Sequence, residues 1–99
     1  MPEPAVVRFS RDMGITHSEF FRTLPAALPA LPYTVQGRDI IITEDTRRLV
    51  ISLSPEGRRR IAALSLPTTQ AHFTFSGYSP QDIERFMARF DRAFQRGGG

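Results

Sequence analysis

Ninety-nine residues, 40% hydrophobic and 23% charged, supply one globular core and no material for a second, and they lie outside the compositions of disordered, collagen-like or disulfide-scaffolded chains. The absence of cysteine excludes disulfides, a thiol nucleophile, iron–sulfur clusters and cysteine zinc sites. A net charge of +3, with all thirteen cations arginine, is too small to indicate nucleic acid or an anionic membrane by itself.

The first element is a strand over Ala5–Ser10, with Val7 and Phe9 on one face. Thr16-His17-Ser18-Glu19 has the pattern of a capping box, with Ile15 and Phe20 as its hydrophobic staple, and predicts a helix start. Phe20, Phe21, Leu24 and Leu28 form the apolar side of that helix, and Pro25 makes it short or kinked. A meander follows: strands over Tyr33–Gln36, Asp39–Glu44 and Arg47–Ser54, joined by tight turns at Gly37-Arg38 and Asp45-Thr46. A type I turn at Ser54-Pro55-Glu56-Gly57 leads into a strand over Arg60–Leu66, and Pro67-Thr68-Thr69 is read as the turn into a last strand over Ala71–Gly77. Leu49, Ile51 and Leu53, with Ala71, Phe73 and Phe75, are period-two sets that mark a buried face. Ser79 caps the final helix and Pro80 occupies its first turn. Ile83, Phe86, Met87, Phe90, Ala93 and Phe94 then fall within an arc of roughly 120° on the helical wheel, a stripe suited to lying on a sheet.

The order β-α-β-β-β-β-β-α therefore predicts one α+β domain over residues 1–99: an antiparallel meandering sheet of about five to six strands with a short helix and a long C-terminal helix on one face. Residues 1–4 and 97–99 are expected to be flexible tails. This order is similar to that of the helix-grip ligand-binding domains and of one repeat of the TATA-box-binding protein, a likeness of architecture that carries no sequence motif and no function.

Motifs that carry chemistry are sparse. Glycine-rich phosphate loops, His-Glu-x-x-His pairs and nucleophile elbows are absent. His17 and His72 read as structural residues, and Glu44-Asp45 as turn acids. The chain is therefore expected to be non-catalytic, without metal or cofactor. Met1-Pro2-Glu3-Pro4 lacks the basic and apolar regions of a secretion signal, and no apolar run approaches ~20 residues, so a cytoplasmic location and no membrane partner are expected. Gly97-Gly98-Gly99 reads as a helix end, with a carrier-type tail as the lesser alternative.

Charge is unevenly distributed. Residues 47–60 hold five arginines and one glutamate, and residues 85–99 four arginines and one aspartate. Arg85, Arg89, Arg92 and Arg96 lie within about 60° of one another, on the far side of the final helix from its apolar stripe. This ridge, relieved only by Asp82 and Asp91, is the candidate surface for an acidic partner; Arg47, Arg48, Arg58, Arg59 and Arg60 form an alternative basic patch. The favoured functional expectation is a small accessory protein acting through protein–protein contacts and forming a homodimer or larger homo-oligomer through its uncovered sheet face. Nucleic-acid binding through the arginine clusters is the alternative, and a small hydrophobic ligand held between sheet and long helix is a further one.

Overall fold

A computed structural model of the chain describes residues 6–28 and 31–97, residues 96 and 97 through their backbone alone. The elements are β1 (Val6–Met13), α1 (His17–Ala27), β2 (Thr34–Gln36), β3 (Asp39–Glu44), β4 (Arg47–Leu53), β5 (Gly57–Ile61), β6 (Leu64–Ser76) and α2 (Pro80–Gly97), in the expected α+β order. Gly97 is the last residue of α2 rather than part of a tail; Gly98, Gly99 and residues 1–4 lie outside the described residues.

Both helices start where their caps require. The Glu19 amide donates to Thr16 Oγ1 at 3.1 Å, and the Asp82 amide to Ser79 Oγ at 3.1 Å. At α1 a carboxylate from elsewhere also takes part: Glu56 Oε1 accepts the His17 amide at 2.6 Å. Gly77, at φ +79°, turns the end of β6 into the α2 cap, and a Cβ there would lie 2.9 Å from the Thr46 carbonyl oxygen.

All strand pairs are antiparallel, in the order β1-β6-β4-β3-β2, with β5 also paired to β6. The alternation of apolar residues sets which face is buried. Leu49, Ile51 and Leu53 of β4 and Ala71, Phe73 and Phe75 of β6 are buried beneath the helices, with Val7 and Phe9 of β1 opposite Phe75 and Phe73. The Phe90 ring meets Phe73 edge-on at 4.8 Å between centroids, and Phe94 stacks on Phe20 of α1 at 4.9 Å. These rings fill the centre of the space between sheet and α2.

One stretch differs from the sequence reading. Neither Ser54–Gly57 nor Pro67–Thr69 reverses the chain. Leu53 lies opposite Ala71 and Gly57 opposite Thr68, so β5 continues the line of β4 along β6 with one extra residue between them, a bulge. Ser54 holds it: its amide donates to the Gln70 carbonyl and its Oγ accepts the Gln70 amide, both at 2.9 Å. The reversal is at Ala62-Ala63, with Ala62 at φ +55°. Pro67 is accommodated because β1 ends opposite Thr69, leaving β6 with one neighbour at that point. The result is a two-stranded arm, β5 with residues 64–68 of β6, that extends past the sheet and helps give the molecule extents of 54 × 26 × 25 Å.

Candidate interaction surfaces

Three of the four ridge arginines have described side chains. Arg85, Arg89 and Arg92 are exposed on α2, while the side chain of Arg96 lies outside the described residues. Both acids expected to relieve it are engaged by other arginines. Arg47 Nη1 donates to Asp82 Oδ2 at 3.2 Å, and Arg11 grips Asp91 through Nε and Nη2, each at 3.2 Å. The ridge therefore keeps most of its positive charge.

Arg85 and Arg89 also border an open cleft of about 340 Å³, together with Leu31, Tyr78 and Phe86. Its floor is a polar cluster in which Arg47 reaches Glu44 at 3.4 Å and lies 5.0 Å from the Tyr78 ring centre. Burial, with smaller contributions from the Glu44 and Asp82 carboxylates, raises the Tyr78 phenol above its ordinary value of 10.0 against the opposing effect of Arg47.

The alternative basic patch is divided. Arg47 turns to the helix side and is held in that cluster, Arg48 is exposed on the helix-free face, and Arg58, Arg59 and Arg60 are exposed on the arm. Arg48 lies opposite Ser76 and Arg58 opposite Pro67, so the two groups are nine strand steps of β6 apart, about 30 Å.

The arm has two distinct faces, because residues opposite each other in an antiparallel pair share a face. Arg59 with Leu66 and Ile61 with Leu64 lie on the side continuous with the helix-free face; Arg58 with Pro67 and Arg60 with Ser65 lie on the other. Ile61, Leu64 and Leu66 are 52%, 63% and 42% exposed, well above the core. Sequence reasoning missed this stripe because it placed the reversal at Pro67. The rest of the helix-free face is mixed, with Ile41 and Val50 half-buried at its centre and Ser10 Oγ bonded to His72 Nδ1 at 2.9 Å.

The two sheet edges differ. β2 has three residues and begins two positions after Pro32, whereas β1 pairs residue for residue with β6 over eight positions without bulge or proline. Beside β1 a groove of about 460 Å³ runs under α2, lined by Phe9, Arg11, Ile83, Met87 and Ala88 among others.

The remaining polar candidates have structural surroundings. His17 Nε2 donates to the Ser54 carbonyl at 2.7 Å, joining α1 to the bulge. Asp45 occupies the β3–β4 turn at φ +50°. Among the described residues no three or more His, Cys, Asp or Glu side chains gather as a metal site, and no helix is long and apolar enough to cross a membrane. No known family model, curated protein or solved structure matches the chain.

Proposed function

We propose that the chain is a small non-catalytic interaction protein that associates with itself and acts through protein–protein contacts. The observation that carries this reading is the apolar stripe Ile61–Leu64–Leu66, exposed on the arm and continuous with a sheet face that bears no helix. Apolar surface gathered in this way gains free energy when another surface removes it from water, whereas scattered single residues would need no partner. Light scattering on the purified chain at micromolar concentration tests the reading. It predicts a mass of two chains or more; a single-chain mass at the highest soluble concentration contradicts it.

The arm also supports a second reading, nucleic-acid binding. Residues 57–68 carry Arg58, Arg59 and Arg60 and no acid, on a two-stranded ribbon of the kind a major groove admits. If each arginine neutralises one phosphate, affinity should fall with salt at a log–log slope of about −3. Gel-shift titrations with duplex DNA and RNA at two salt concentrations test this, and no complex at low salt removes the reading.

A further inference from the structure

We infer that the second copy docks on the β1 edge, so that two sheets join into one through antiparallel β1–β1′ pairing about a two-fold axis at Ser10. This rests on the self-association proposed above and assigns it a second surface, distinct from the apolar stripe of the arm, which the pairing leaves exposed.

The direction of the backbone groups comes first. In an antiparallel strand a residue turns its N–H and C=O to the same side, and successive residues alternate. Gln70 gives both groups to Ser54 on the β4 side, so Thr69, Ala71, Phe73 and Phe75 turn theirs toward β1. Their partners Met13, Arg11, Phe9 and Val7 are therefore the residues bonded to β6. Arg8, Ser10 and Asp12 point their N–H and C=O groups outward, where no described strand meets them; the Ser10 carbonyl accepts Arg11 Nη1 at 3.3 Å, an exposed contact that strand pairing would replace. A long edge without proline or bulge is a template for another strand, and the three-residue β2 at the opposite side of the sheet is not.

The side chains then choose the register. With a two-fold axis perpendicular to the sheet, facing residues must lie on the same face, which allows pairing centred on Ser10 or on Phe9. Centred on Ser10, Arg8 faces Asp12 of the second copy, and the symmetry makes this ion pair twice. Val7 then faces Met13, and Phe9 faces Arg11, whose guanidinium is already held by Asp91 and whose stem is free to cover the ring. Centred on Phe9, Arg8 faces Ser10 and Asp12 faces Val6, and both charges lack an opposite partner. Within one chain Arg8 and Asp12 are four strand positions apart, about 13 Å, and neither takes part in the ion pairs among the described residues. Opposite charges directly across a strand pair stabilise it and like charges oppose it. Phe9, 37% exposed, and Val6, 46% exposed, flank the edge, and the apolar groove beside it would be bordered by the second copy.

The cysteine-free sequence gives a clean test. Ser10→Cys brings two thiols face to face at the axis, within the separation that a disulfide bridges, while Phe9→Cys leaves them diagonal and out of reach. Mild oxidation should convert most of Ser10→Cys to covalent dimer and little of Phe9→Cys. Arg8→Asp and Asp12→Arg should each lower dimer affinity at least tenfold, and mixing the two variants should restore a mixed dimer, because each then supplies the charge the other lacks. Circular dichroism of each single variant confirms that it is folded. A native dimer in which Ser10→Cys stays reduced, or in which Phe9→Cys crosslinks instead, overturns the edge pairing while self-association stands. A native chain that is monomeric throughout overturns both.

Discussion

Phe90 illustrates how much of this protein rests on single side chains. It is 1% exposed and lies 4.8 Å from Phe73, 4.4 Å from Phe94 and 6.2 Å from Phe20, between centroids, so it ties β6 to both helices. Phe90→Ala should lower stability by about 3–5 kcal/mol, through lost transfer energy and the cavity left behind, read as a shift in urea midpoint. Tyr78 makes a pH-dependent contribution. Its phenol is raised in the fold, chiefly by burial, so the native state holds its proton more tightly than the unfolded chain does. That contribution is complete below the unfolded value near 10 and is lost as pH rises through the higher folded value. Thermal midpoints should therefore fall above about pH 10, and Tyr78→Phe should reduce the fall. The roles of both residues follow from contacts across the sequence. Phe90 was visible in advance because helical periodicity placed it, whereas the Arg47–Asp82–Tyr78 cluster joins residues more than thirty positions apart that no local pattern connects.

The elements that could be read from the sequence carry their signals locally. Thr16 and Ser79 announce α1 and α2, and the alternating sets at 49–53 and 71–75 identify β4 and β6 with their buried face. The arm could not be read in this way. Its turn uses Ala62-Ala63 without the glycine or asparagine that marks left-handed backbone, and Pro67 resembles a breaker until β1 is seen to end opposite Thr69. The openness of β1 is equally non-local, since an edge is defined by which strands fail to arrive. On α2 the ridge could be read as a pattern, but the diversion of Asp82 and Asp91 to Arg47 and Arg11 could not. Because Arg89 and Arg92 are exposed and outside the core, reversing both to Glu should change stability by less than about 1 kcal/mol, new opposite-charge pairs offsetting the less favourable charge at the helix C-terminus. Thermal melts check this; a larger loss would mean that the ridge is covered in the assembled protein.

At the scale of the molecule, one principle connects the arm, the helix-free face and the β1 edge. Two helices cover only one side of a six-stranded sheet, and among the described residues no further element covers the other side or closes the long edge. On the proposed reading the surface left over is where the chain meets a partner, and the pattern of Arg8 and Asp12 about Ser10 matches a second copy at the edge. The arm remains free in such a dimer, because it lies on the opposite flank of β6 from β1 and beyond its end, so self-association and a further contact through Ile61, Leu64 and Leu66 are compatible. Backbone amide exchange on β1, followed at high and low protein concentration, tests the central claim most directly. The account predicts that the outward amides of Arg8, Ser10 and Asp12 are protected in concentrated protein and exchange freely on dilution, while the β5 amides are unaffected by concentration. Exchange at Arg8, Ser10 and Asp12 that is fast at every concentration would contradict it.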